Sequence, residues 1–108
     1  MRKAEVYLFE RLAGILIEDD LGYTFQYAEE YLQDNPIPLS MTLPLQKEPF
    51  KDKMLFPFFD GLIPEGWLLA IASHNWKLDL RDRMGLLLAC CRDCIGAASI
   101  REIANDRL

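Results

Sequence analysis

The sequence has no long hydrophobic run, and its most apolar stretches, such as Met84 to Leu88 and Trp67 to Ala72, fall far short of the ~20 residues needed to cross a bilayer. No membrane span is therefore expected. The opening Met-Arg-Lys-Ala-Glu-Val moves straight into an alternating run, without the apolar core and small-residue cleavage site of a signal peptide. Basic charge is also scarce. Residues 1–35 hold eight acids and three bases, the remainder nine of each, and the net charge is -5. Nucleic-acid binders take most of their affinity from clustered Lys and Arg that neutralise phosphates, so direct nucleic-acid contact is not expected. There is one histidine, His74, and there are three cysteines, Cys90, Cys91 and Cys94, crowded into five positions. That odd, local set cannot staple a secreted fold and suits a reducing cytoplasm.

What is present is apolar content of 51% in 108 residues, enough for one self-sufficient core. A single domain over 1–108 is expected, with no repeat or linker. Glu5 to Phe9 is β-prone, a polar step at Glu10-Arg11 follows, and Leu12 to Ile17 reads as the returning strand of a hairpin. Asp19 to Gly22 supplies turn chemistry. Tyr23-Thr24-Phe25-Gln26-Tyr27 alternates three aromatics with two polar residues, the period of a half-buried strand. Turns this short permit only antiparallel pairing, so these segments predict a three-stranded meander.

Asn35-Pro36-Ile37-Pro38 breaks the pattern. Ser40 to Leu45 alternates again but contains Pro44, which predicts a short edge strand or an extended packing segment. A mixed-charge loop is expected from Lys47 to Lys53. Pro57 fits the first turn of a helix running to Ile63, with Leu55, Phe58, Phe59 and Leu62 as its apolar stripe. A second helix is predicted from Glu65 to Trp76 and a third from Arg83 to Cys91, capped by Asp82. Ala97 to Ile103 reads as a last strand. The fold class is α+β: a small antiparallel sheet, the N-terminal meander plus a C-terminal strand, packed with about three helices.

A search for catalytic groups finds no site. A phosphotransferase needs a glycine-rich loop, a strand lysine and two metal-binding positions. Cys91-Arg92-Asp93 superficially matches a catalytic-loop tripeptide, but the fifth residue after Asp93 is Ala98, which holds no metal. Cys91 and Cys94 form a C-x-x-C without a second ligand pair, and read as structural thiols rather than a metal or redox site. His74 has no recognisable nucleophile and orienting acid, and reads as a surface or interface histidine. No catalytic, cofactor-binding or metal-binding residue is assigned. Trp67 differs. On a wheel of about 100° per residue, Leu68, Leu69, Ile71, Ala72 and Trp76 form one stripe, and Trp67 falls roughly 130° from its centre, beside Ala70 and His74. An off-stripe tryptophan is either covered by a neighbouring loop or open to a partner.

Three segments taken in order, Pro38 to Leu45, Phe56 to Gly66 and Arg92 to Ala97, give the chain a family likeness. Over Ala4 to Ile103 the sequence resembles the N-terminal subdomain of HipA-family serine/threonine kinases, the toxins of HipBA-type toxin–antitoxin modules. Cys91 stands where members commonly carry glycine. In that family the subdomain precedes a larger kinase core with ATP, magnesium and the catalytic aspartate, none of which these 108 residues supply. The stand-alone form resembles the HipS antitoxins of tripartite HipBST modules. The resemblance implies a non-enzymatic, cytoplasmic antitoxin that needs no cofactor and binds a HipA-like (HipT-type) kinase, occluding its active-site cleft. A separate helix-turn-helix protein, HipB-like, would contact the operator. Pro64, Glu65, Gly66, Trp67 and His74 are the expected kinase contacts, with the Pro64 to Trp67 loop as anchor. Two alternatives remain: a non-inhibitory structural subdomain or fragment of a HipA-like kinase, and an independent enzyme using His74 or the cysteines.

Overall fold

The hairpin expected at the N-terminus is present, but its turn lies one residue earlier than the polar step suggests. In the computed structural model, which describes residues 1–63, 79, 81–90 and 98–103, β1 spans Arg2–Leu8 and β2 spans Arg11–Asp19. Phe9 and Glu10 form the two-residue connection, with φ of 50° and 67°. A two-residue hairpin needs positive φ at both central positions to match the twist of its strands, so Phe9 leaves the strand and stands 64% exposed.

β3 (Gly22–Tyr27) follows the Asp20-Leu21 turn, where the Asp19 carboxylate accepts the Leu21 N–H at 2.8 Å. Two further strands complete the sheet, β4 (Phe50–Asp52) and β5 (Ala98–Glu102), in the antiparallel order β4-β3-β2-β1-β5. β5 confirms the predicted last strand. β4 corrects the loop expected over Lys47 to Lys53: three residues are too few to show a period, and it is Phe25 opposite Phe50 that draws them onto the ladder.

Alternation assigns the two faces. Ala4, Val6 and Leu8 of β1, Leu16 of β2, Phe25 and Tyr27 of β3 and Ile100 of β5 point inward and are buried. Between Val6 and Tyr7 the register slips, so that Val6 faces Gly14 and Tyr7 faces Leu12, leaving Ala13 as a bulge residue. Its carbonyl accepts the Ala28 N–H at 2.8 Å. That bond starts α1 (Glu29–Gln33), a single turn too short to leave a periodic signature in the sequence. Gly14 is needed for space: a Cβ there would sit 2.8 Å from the Phe25 ring and 2.3 Å from the Gln26 carbonyl oxygen.

Helix α2 (Pro57–Asp60) begins on Pro57, as expected, and continues past Gly61 through i→i+3 bonds from Leu62 to Phe59 and from Ile63 to Asp60. Its apolar stripe is rotated from the predicted one. Leu55, Phe56, Phe59 and Ile63 are buried, while Phe58 and Leu62 are only partly so. The reason is Phe25, whose ring meets Phe59 at 5.5 Å and Tyr27 at 5.0 Å, so the helix turns Phe59 into the sheet. Helix α3 (Arg83–Cys90) adds Met84, Leu86 and Leu87 to the core. Asp82 caps it as predicted, its Oδ1 accepting the Gly85 N–H at 3.2 Å and its carbonyl the Leu86 N–H at 3.0 Å. The predicted helix from Glu65 to Trp76 lies outside the described residues.

The segment from Ser40 to Leu45 is neither an edge strand nor extended. Ser40 and Leu43 pair across a tight turn, the Ser40 hydroxyl accepts the Thr42 N–H at 3.1 Å, and Met41 projects 99% exposed. Such local side-chain bonds compete with a sheet ladder and win here because two tyrosines hold the loop from beneath. The Tyr27 hydroxyl accepts the Leu39 N–H at 2.9 Å and donates to the Leu43 carbonyl. The Tyr31 hydroxyl accepts the Ile37 N–H at 3.1 Å and donates to the Ile37 carbonyl at 2.6 Å. The two rings stack at 6.0 Å. Burial pushes the Tyr27 phenol above its ordinary pKa, which keeps it a neutral donor. Replacing Tyr27 with phenylalanine leaves the buried Leu39 N–H unpaired; urea denaturation is expected to show a loss of about 1–3 kcal/mol with an unchanged sheet.

Candidate functional site

All five expected contact residues, Pro64, Glu65, Gly66, Trp67 and His74, lie outside the described residues, as do Cys91 and Cys94. The structure does describe where the segment bearing the first five is rooted. On its N-terminal side stand α2 and Ile63, which is buried in the core. On its C-terminal side stand Asp79, Arg81 and Asp82, leading into α3. The Asp79 carbonyl accepts the Asp82 N–H at 3.1 Å, and its carboxylate accepts the Arg81 N–H at 2.9 Å. These bonds turn the chain into the helix cap.

Two ion pairs join the roots to each other and to the sheet. Arg83, the first residue of α3, donates from Nε to Asp60 Oδ1 at 2.6 Å, linking α3 to the last residue of α2. Arg2, at the start of β1, grips the cap residue: its Nη2 reaches Asp82 Oδ1 at 2.6 Å and its Nη1 reaches Oδ2 at 3.1 Å. The forked geometry of a guanidinium on a carboxylate makes this the stronger type of pair. Arg2 Nε also donates to Glu18 Oε1 at 2.6 Å, and the Tyr23 hydroxyl donates to Glu18 Oε2 at 3.3 Å. Glycine at position 85 lets the arginine approach. A Cβ there would stand 2.3 Å from Asp82 Oδ2 and 3.1 Å from Arg2 Nη1.

The hydrogen bonds from Arg2 hold the Asp82 carboxyl below the usual carboxylate range, and those to Asp82 and Glu18 push the Arg2 guanidinium above its ordinary value. Tyr23 is raised, first by desolvation and then by the Glu18 charge. These groups orient structure; they do not form a nucleophile with its base. Among the described residues no three His, Cys, Asp or Glu side chains are grouped so as to hold a metal. Nor is any helix among them long and apolar enough to cross a membrane. The Cys90 thiol lies 3.8 Å from the Leu87 carbonyl. A surface hollow of about 270 Å³ beside the β2–β3 turn is lined by Asp19 and Asp52 as well as Lys51 and Lys53, so it offers no charge of one sign to a ligand.

Of Arg2, Asp60, Asp82 and Arg83, the sequence singles out only Asp82, as a cap. Arg2 and Asp82 are 80 positions apart and Asp60 and Arg83 are 23 apart, so no local spacing announces either pair.

Comparison with known proteins places these features in context. The family described as HipA N-terminal domain matches residues 4–101. An uncharacterised protein of Haemophilus influenzae is 35% identical over 102 residues, covering 94% of this chain and 93% of that protein. A Sinorhizobium fredii protein named "Putative kinase Y4mE" is 41% identical over 69 residues, covering 60% of this chain but only 16% of its own length. Among solved structures, the N-terminal domain of HipA toxin superposes with a TM-score of 0.79 at 32% identity, covering 98% of this chain and 96% of that one.

The Asp82 pair has a testable pH signature. Its carboxyl is depressed in the folded state, so its contribution is complete at neutral pH and is lost as pH falls below about 4, through the folded value. Asparagine keeps the cap but not the charge. Asp82→Asn is expected to lower stability at pH 7 by up to about 1 kcal/mol, with the gap to the parent narrowing in urea melts as the pH is taken progressively below about 4.

Proposed function

Because this chain belongs to the HipA N-terminal domain family, we propose that it is a HipS-like antitoxin that binds a HipA-like (HipT-type) serine/threonine kinase and occludes its active-site cleft. The observation that carries this reading is the pair of coverages among its relatives. The match spans 93% of a Haemophilus protein of about this length, whereas 60% of this chain matches only 16% of a far longer kinase-named protein. A domain that occurs both in a chain of its own size and as a small part of a kinase-named one is suited to docking on a separate kinase in place of the covalently attached copy.

The anchor in this reading is the sequence Pro64, Glu65, Gly66 and Trp67, together with His74, which the helical wheel of the sequence sets beside Trp67. A rigid indole that fills an apolar cleft beside the nucleotide site gains area at small entropy cost. Glu65 adds a charge contact to basic or metal-binding groups of the kinase. Inhibition by occupancy needs no catalytic residue or cofactor from this chain, and the assignment is accordingly non-enzymatic. The complex belongs to the cytoplasm, where the clustered cysteines stay reduced, and includes a HipB-like helix-turn-helix protein for operator binding.

The kinase-named relative also favours a second reading, in which the unit is a non-inhibitory structural subdomain of a kinase. A neighbouring reading frame that encodes a kinase core without this subdomain supports the antitoxin; an in-frame kinase core supports the subdomain. Trp67→Ala is expected to weaken kinase binding by about 2–4 kcal/mol, a 30- to 1,000-fold rise in Kd, and to abolish neutralisation on co-expression. Unchanged neutralisation would remove the loop from the mechanism.

A further inference from the structure

The connection between β1 and β2 is built from residues ill suited to its shape. Both of its positions lie in the left-handed region, φ 50° at Phe9 and 67° at Glu10, where glycine, asparagine and aspartate fit and a side chain as bulky as phenylalanine is crowded by its own backbone. Phe9 gains no burial in return. Its neighbour Leu8 enters the core, whereas Phe9 stands 64% exposed. An aromatic residue that is unfavourable both in its backbone and in its solvation is accounted for by a contact outside the chain.

The surroundings of Phe9 set the chemistry of that contact. Leu12, on the strand that the hairpin leads into, is 37% exposed, and Ile37, whose backbone is bonded to the Tyr31 hydroxyl, is 51% exposed. Exposed acids border this apolar surface: Glu10 beside Phe9, Glu29 and Glu30 on α1, and Asp34, whose side chain is 82% exposed. Arg11 does little to balance them, because its guanidinium is drawn onto the fold, 4.7 Å over the Tyr31 ring, with Nη1 donating to the Asn35 carbonyl at 3.3 Å and Nη2 to that of Asp34. A second copy of this chain would set like charge against like. A kinase offers the opposite sign, since it holds the phosphates of ATP with lysine and metal ions. We infer that Phe9 is an anchor for the partner kinase, seated in an apolar pocket bordered by basic side chains, and that Glu10 and Asp34 steer its approach. This inference rests on the reading of the chain as a kinase-binding antitoxin and is independent of the Pro64 to Trp67 contact.

The test sets binding against stability in the full chain. Phe9→Asn relieves the backbone and removes the ring. Its urea midpoint is expected to equal or exceed that of the parent, while its Kd for the kinase encoded beside this chain rises about tenfold or more. Glu10→Lys exchanges one charge for the other at a backbone position equally left-handed for both, and is expected to lower the association rate about threefold at low salt, with the difference shrinking as salt is added. An unchanged Kd for Phe9→Asn, in a parent that does bind, overturns the inference and leaves the antitoxin reading intact. A raised Kd accompanied by a lower urea midpoint also overturns it, because Phe9 then serves the fold. A Glu10→Lys rate equal to that of the parent at low salt overturns the steering. A parent that binds no kinase overturns the antitoxin reading, and the Phe9 contact with it.

Discussion

The contact between Phe25 and Phe59 is the constraint on which the rest of the molecule depends. Phe25 lies fully buried at the centre of the inner sheet face, over a glycine on the neighbouring strand, with the rings of Tyr27 and Phe59 packed against it. Burying one such ring contributes about 1.5–3 kcal/mol, and here three elements share the same contact. Gly14 cannot carry a side chain because Phe25 occupies its space. Helix α2 takes its rotation from Phe59, and β4 joins the sheet because Phe50 faces Phe25 across the ladder. Helix α2, from which the chain runs on towards the expected contact residues, is fixed by this aromatic cluster.

The parts of the fold that the sequence makes legible are those decided by neighbours in the chain. Tyr23 to Tyr27 shows its strand by alternation, Pro57 opens a helix because φ is already set, and Asp82 caps one because its carboxylate reaches three residues ahead. The parts that are not legible depend on partners far away. A turn, not a strand, forms at Ser40 to Leu43 because Tyr27 and Tyr31 hold the adjoining backbone, and α1 starts from the carbonyl of a bulge residue. The candidate site divides in the same way. Trp67 stands out because its neighbours define a stripe it does not join. Arg2 and Arg83 look like ordinary surface charges until the fold brings Asp82 and Asp60 to them.

The family assignment and the polar architecture address different questions. Membership of the HipA N-terminal domain family establishes what this unit is, and among its described residues Arg2, Glu18, Asp60, Asp82 and Arg83 form ion pairs that hold structure together. The backbone held by Tyr27, from Leu39 to Leu43, lies within the first of the three segments that carry the family likeness, and α2 lies within the second, so the likeness follows elements that shape the core.

The pairing of the first strand with the last has a consequence for how the molecule is made. Val6 lies opposite Ile100, and the Ile103 N–H bonds to the Lys3 carbonyl at 2.9 Å, so one side of β1 is paired by residues that are made long after it. Until they emerge, β1 exposes a row of unused backbone donors and acceptors to any other nascent strand nearby. In the folded sheet Lys3 and Ile103 are neighbours, so a probe at one of them reports whether the other has joined the ladder.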